Sequence, residues 1–218
     1  LATLDFKPKE RIFILGKTIT SLSVEDIIKA IYEINLDDEE KEMSYNGYQR
    51  PSIHILLNTY GGSVYDGLAL IGAIELSATP VCVTCLGSAM SMGLFILASG
   101  HMRRAHHLST IMYHEIAMGV QDSLEGLKLS IEEGERLTKV CENILFSRTK
   151  LTKKDLEVYK RTKSDWYMDP VTAAEFNIID EVIGAPLLSP ENLKKAKKRK
   201  RKTIVPDENS KGDIDTKN

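Results

Sequence analysis

Cys85-Leu86-Gly87-Ser88-Ala89-Met90-Ser91-Met92-Gly93-Leu94-Phe95-Ile96-Leu97-Ala98-Ser99-Gly100 joins two kinds of pattern. The residues leading into it, 80–86, are apolar and rich in β-branched side chains, which predicts a short buried strand. After a run of small residues the segment from Ser91 to Gly100 is apolar and helix-compatible. Ser91 therefore falls at a strand-to-helix turn. A hydroxyl there sits beside unpaired backbone N–H groups at the positive end of the helix dipole. That setting suits a nucleophile whose substrate becomes an oxyanion. It equally suits a serine that only caps the helix, and on local features the cap is the commoner use.

Outward from this turn the chain repeats the same unit. Arg11-Ile12-Phe13-Ile14-Leu15 predicts a strand ending at Gly16, and Ser23 with Asp26 an approximate capping box for a helix to about Asn35. Residues 36–51, acidic and then turn-like through Ser44-Tyr45-Asn46-Gly47-Tyr48, read as an exposed loop. Ile53-His54-Ile55-Leu56-Leu57 is a second strand, followed by the turn Asn58-Thr59-Tyr60-Gly61-Gly62 and a helix from Ser63 to about Ser77. Strand, Gly-Gly turn and helix also describe phosphate cradles, but neither G-x-x-x-x-G-K-[ST] nor G-x-G-x-x-G is present. The glycines equally let backbone N–H groups approach a substrate.

Arg103, Arg104, His106 and His107 predict a basic surface turn before a strand over 109–114. A long helix over about 123–149 carries more apolar surface than one small domain needs. Thr152 with Asp155 caps a short helix, Asp169-Pro170 starts another, and residues 178–183 form a last strand. Repeated strand–turn–helix units indicate an α/β domain.

With 218 residues, 42% hydrophobic and 28% charged, the chain has the composition of a globular protein with a sizeable core. The longest apolar run, 90–98, is too short to span a membrane, and the first ten residues lack a signal-peptide pattern. A cytosolic protein with no membrane contact is expected. Cys82, Cys85 and Cys141 make no disulfide framework, and Cys82 and Cys85 point to opposite faces of a strand, so buried structural thiols are expected and no metal. The net charge of −2 divides unevenly: residues 191–218 hold ten basic and five acidic groups, leaving +5 there and −7 on the rest. Residues 189–218, with the block Lys194-Lys195-Ala196-Lys197-Lys198-Arg199-Lys200-Arg201-Lys202, read as a disordered basic tail, the only part with an electrostatic reason to meet nucleic acid.

A serine nucleophile needs a base and a group to orient that base. Among five histidines, His54 lies within a strand, while His101, His106 and His107 sit in the basic turn. His114 closes a strand, where α/β folds expose functional groups, and ranks first. Sequence physics does not choose among the aspartates.

Four segments, in order, resemble the ClpP family, the proteolytic subunit of the Clp protease. They are Asn58-Thr59-Tyr60-Gly61-Gly62-Ser63-Val64, Gly87-Ser88-Ala89-Met90-Ser91-Met92-Gly93, Ile111-Met112-Tyr113-His114-Glu115, and Asp165-Trp166-Tyr167-Met168-Asp169-Pro170 through Asp180. The resemblance covers about residues 10–184. It implies a ClpP/crotonase-like fold within residues 1–188, with a protruding helical handle at about 116–149. It implies Ser91 as nucleophile, His114 as general base, Asp165 as orienting acid, and the N–H groups of Gly61 and Met92 as an oxyanion hole. It also implies a self-compartmentalised serine endopeptidase without metal or organic cofactor. Heptameric rings, stacked in pairs, would admit unfolded chains or small peptides, with an AAA+ unfoldase as a possible partner.

The chain departs from the family in a short segment before Glu10, an extended acidic 37–51 region, Tyr60 in place of proline, a single glycine (Gly119) at the start of the handle, and the basic tail. These suggest a divergent or phage-type member. The competing readings are acyl-coenzyme A binding or hydrolysis on a crotonase-like fold, and a non-catalytic ring subunit.

Overall fold

The computed structural model describes residues 10–117, 119 and 121–184. The strands are β1 (Ile12–Leu15), β2 (Ile53–Thr59), β3 (Val81–Met90), β4 (Met102–His106), β5 (Thr110–Tyr113), β6 (Trp166–Met168) and β7 (Glu181–Ile183). The helices are α1 (Ser21–Ser44), α2 (Val64–Leu76), α3 (Met92–Ser99), α4 (Leu124–Arg148), α5 (Lys153–Thr162) and α6 (Pro170–Glu175). This is the expected mixed α/β fold. Among the described residues no helix is long and apolar enough to cross a membrane. The basic tail lies outside the described residues.

The strands form one sheet in the order β1-β2-β3-β4-β7, all parallel, with β5 joined to β3 and β6 to β5. Parallel neighbours require crossovers, and α1, α2 and α3 supply them. The long strand β3 serves two partners. Its first half pairs with β4 (Cys82↔Met102 to Cys85↔Ala105), and its last three residues pair with β5 (Ser88↔Thr110 to Met90↔Met112). It continues four residues past the predicted end at Leu86, because Ser88, Ala89 and Met90 find ladder partners in β5. Ile55, Leu57, Val83, Leu94, Ile96 and Leu97 lie in the core between sheet and helices.

Caps account for most helix starts. Ser63 Oγ accepts the Asp66 N–H at 3.3 Å, Ser123 Oγ the Gly126 N–H at 3.2 Å, and Asp169 Oδ1 the Thr172 N–H at 2.7 Å. Thr152 and Asp155 close the capping box predicted for α5, the Thr152 N–H donating to Asp155 Oδ2 at 2.8 Å. For α1 the boundary is corrected. Thr20, not Ser23, precedes the helix, and its N–H donates to Ser23 Oγ at 2.9 Å.

Two regions read as exposed are built into the fold. The acidic 36–51 stretch is not a loop over its first half: α1 runs unbroken to Ser44. Asp38 is buried on its inner face, and its carboxylate accepts four bonds. Arg11 donates to Oδ1 at 2.6 Å and to Oδ2 at 3.0 Å, Tyr48 to Oδ1 at 2.7 Å, and Thr79 to Oδ2 at 2.7 Å. These donors offset the cost of removing the charge from water and hold the Asp38 carboxyl down at about 2 against its desolvation.

The basic turn at 102–106 is likewise a strand, β4, with Arg103 buried. Its guanidinium pairs with Asp180 and donates to the carbonyls of Arg148 and Asn177, both at 2.8 Å. It thereby ties β4 to the end of α4 and the entry of β7.

In α4 only Leu137, Cys141 and Leu145, all in the second half, are buried. The first half leaves Leu124, Leu129 and Ile131 exposed. The described residues between β5 and α4 form no strand. Cys82, Cys85 and Cys141 are free and buried, and burial pushes the Cys85 and Cys141 thiols up to about 11.

The Asp38 network generates a test. Asp38→Ala leaves Arg11 without its buried partner and should lower stability by about 3 kcal/mol in urea unfolding at neutral pH. Because the folded carboxyl lies below its ordinary value of 3.8, the stability it contributes is present above that value and fades as pH falls toward about 2. The variant should lose that component of the acid dependence.

Candidate active site

The register of three strands brings the candidate residues to one edge of the sheet. β3 and β5 are parallel and their last ladder pair is Met90↔Met112, so the residues that follow emerge side by side. The Ser91 N–H extends the ladder by donating to the Met112 carbonyl at 3.0 Å. β6 runs antiparallel to β5 with pairs Ile111↔Met168, Met112↔Tyr167 and Tyr113↔Trp166. The next positions in that ladder are His114 and Asp165. Ser91 thus follows β3, His114 follows β5 and Asp165 precedes β6, all at the same edge.

Ser91 has φ 52° and ψ −124°, a left-handed backbone that a serine adopts only where its surroundings impose it. It occupies the cap position of α3, yet its hydroxyl makes no capping bond and no other hydrogen bond among the described residues. The turn therefore presents a free Oγ, half-buried, beside the unpaired first N–H of α3 at Met92. The capping reading of Ser91 finds no bond to support it.

The Gly-Gly turn lies against this serine. Gly61 has φ 103°, and a Cβ added there would come within 2.6 Å of Ser91 Cβ and 3.1 Å of its Oγ. Only glycine permits that approach. Two residues not singled out from the sequence hold the turn. Asn58 Oδ1 accepts both the N–H and the hydroxyl of Ser88, each at 3.1 Å, fastening the end of β2 to β3. Ser88 is thus a bonding partner as well as a small residue. Thr59 Oγ1 donates to the Lys17 carbonyl at 2.7 Å and accepts the Gly61 N–H at 3.1 Å.

The Gly61 N–H is consequently engaged in this structure. The N–H of Gly62, in the same turn, makes no hydrogen bond among the described residues, while its neighbours bridge to Ile19. A signal for these roles exists in the sequence, since Asn58-Thr59 immediately precedes the glycines. Their bonding partners do not follow from it.

Proximity at the edge does not close a hydrogen-bond chain. Neither Ser91 nor Asp165 bonds to His114. The Asp165 carboxylate instead accepts the Tyr167 hydroxyl at 3.1 Å on Oδ2. A cleft of about 610 Å³ opens one residue beyond His114, bounded by Glu115, Ile116, α4 and α5, and Ser91 does not line it. Chemically, the edge assembles a hydroxyl with free lone pairs, an imidazole, a carboxylate and unpaired N–H groups, the inventory of acyl transfer.

A family model described as Clp protease matches residues 5–186. Among curated proteins, the chain is 30% identical over 178 residues to ATP-dependent Clp protease proteolytic subunit 1 of Prochlorococcus marinus subsp. pastoris, covering 80% of this chain and 84% of that one. It is likewise 30% identical over 177 residues to ATP-dependent Clp protease proteolytic subunit 2 of a Synechococcus species, at 80% and 84% coverage.

The contact between Gly61 and Ser91 can be tested directly. Gly61→Ala, strained at its φ and in collision with Ser91, should slow fluorophosphonate labelling of the protein about 100-fold. Gly72→Ala, where an added Cβ meets nothing within 4 Å, should leave the labelling rate unchanged.

Proposed function

The chain belongs to the Clp protease family, and from that premise we propose that it is a self-compartmentalised serine endopeptidase whose nucleophile is Ser91. The observation that carries the reading is the free Ser91 hydroxyl on a left-handed turn at a helix N-terminus, at the edge where β5 delivers His114 and β6 delivers Asp165. That the protein is a peptidase of this family follows from the family match and the named relatives. The roles of individual residues are our assignment.

In this reading His114 takes the Ser91 proton as Oγ attacks a peptide carbonyl. Asp165 orients the imidazole and stabilises its charged form. The tetrahedral oxyanion is held by the Met92 N–H and a donor from the Gly61-Gly62 turn. For Gly61 this requires its N–H to be shared with or released by Thr59 Oγ1, whereas Gly62 offers an N–H already unpaired. His114 then protonates the leaving amine, and water attacks the acyl-enzyme with the same histidine as base. His114 must swing between Ser91 and Asp165 to complete the set, a side-chain movement common on passing from a free site to one holding substrate. The chemistry requires no metal or organic cofactor.

The proposal extends to assembly. The first half of α4, with Leu124, Leu129 and Ile131 exposed, offers an apolar face for a second copy, in keeping with heptameric rings stacked as a pair. Substrates would be unfolded proteins or peptides, delivered in the cytoplasm by an AAA+ unfoldase.

The decisive test is fluorophosphonate labelling and small-peptide cleavage by the purified protein, with its native mass measured on the same sample. Ser91→Ala should abolish both activities, and His114→Ala should reduce them by at least about 10⁴-fold. Undiminished cleavage by Ser91→Ala would overturn the assignment. Saturable coenzyme A binding without peptidase activity would favour the acyl-thioester alternative.

A further inference from the structure

β6 carries a contact that the reaction above leaves unused. Trp166 anchors the strand: its indole stacks on Tyr159, with ring centroids 4.8 Å apart and planes 7° apart, and meets Phe176 edge-on at 5.2 Å. Side chains alternate along a strand, so Asp165 and Tyr167 share the face opposite Trp166. There the Tyr167 hydroxyl donates to Asp165 Oδ2 at 3.1 Å. Among the described residues it is the only donor to that carboxylate. Both side chains are exposed to solvent.

An aspartate at an exposed strand end is free to change rotamer, and a base-orienting carboxylate that does so loses its alignment. One donor on Oδ2 biases the rotation of the group and leaves Oδ1 able to accept another. The ladder supplies the candidate for that second bond. Tyr167 is opposite Met112 and Trp166 opposite Tyr113, so Asp165 follows opposite His114. The Tyr167 phenol, raised above its ordinary value by the same carboxylate, is a protonated donor at neutral pH as phenols ordinarily are. No other described side chain bonds to either group.

We propose that Tyr167 is a positioning residue of the peptidase site: its hydroxyl holds Asp165 in the orientation that offers Oδ1 to the His114 ring N–H, and so acts on Ser91 through Asp165. The inference rests on the assignment of Ser91, His114 and Asp165. It adds a fourth member to that set, placed on the same three-residue strand as the anchor Trp166.

Tyr167→Phe removes the hydroxyl and keeps the ring, and the exposed site should tolerate it without loss of folding. On the full chain, the rate of Ser91 labelling by a fluorophosphonate and the kcat for a small peptide should each fall about tenfold, with KM within about twofold. The second arm repeats the substitution in an Asp165→Ala background, where Tyr167→Phe should cause no further loss of labelling rate. Unchanged rates in the single variant would overturn the inference. So would an equal loss in both backgrounds, since that would mark a merely structural effect. Failure of the underlying assignment reads differently: wild-type protein would then not be labelled at Ser91, and the inference would fall with it.

Discussion

The site depends on one backbone hydrogen bond, from the Ser91 N–H to the Met112 carbonyl. It extends the β3–β5 ladder one residue beyond the regular strands. The chain must then leave the sheet at once to enter α3, whose first residue is Met92. A residue tied to the ladder on one side and to a helix on the other has little choice of backbone, which accounts for the left-handed conformation of Ser91. The strain of such a conformation, of the order of 1–3 kcal/mol, is carried by the packing of α3, buried along its whole length. The reward is a hydroxyl projected clear of the helix it precedes.

The rest of the molecule holds that edge in register. Trp166, packed between Tyr159 and Phe176, fixes the short β6 that would otherwise be marginal at three residues. Asn58 and Thr59 lock the glycine turn against β3. Farther away, Arg103 joins β4, α4 and the entry to β7, and Asp38 joins α1 to the start of β1 and to Thr79 just ahead of β3. These two buried charges lock the ends of the sheet rather than take part in chemistry.

The α/β fold is legible in the repeated strand–turn–helix pattern, and the candidate site residues are legible where local geometry is restrictive. Ser91 and the Gly61-Gly62 turn stand out because a strand-to-helix junction of small residues has few local solutions. His114 stands out because it closes a strand. Asp165 emerged only through the family resemblance, since antiparallel pairing of β6 to β5 is a long-range fact that no local pattern encodes. Two of the differences share one cause: charge reads as exposure in a sequence, which makes the second half of α1 look like a loop and β4 like a surface turn. A carboxylate or guanidinium saturated with partners can be buried, and its partners lie up to 77 residues away in the chain. The bond from Tyr167 to Asp165 shows the same limit on a smaller scale: the spacing was visible, but nothing in it told which group the carboxylate would accept.

Three strand ends and a glycine turn converge at one edge of the sheet, the proposed acyl-transfer site. A crystal structure of the fluorophosphonate adduct tests this most directly. The expected result is phosphorus bonded to Ser91 Oγ, its non-bridging oxygen within hydrogen-bond distance of the Met92 N–H and of an N–H from the Gly61-Gly62 turn, and His114 between the adduct and Asp165. An adduct on another residue, or one on Ser91 whose oxygen points to solvent with His114 and Asp165 still apart, would contradict it.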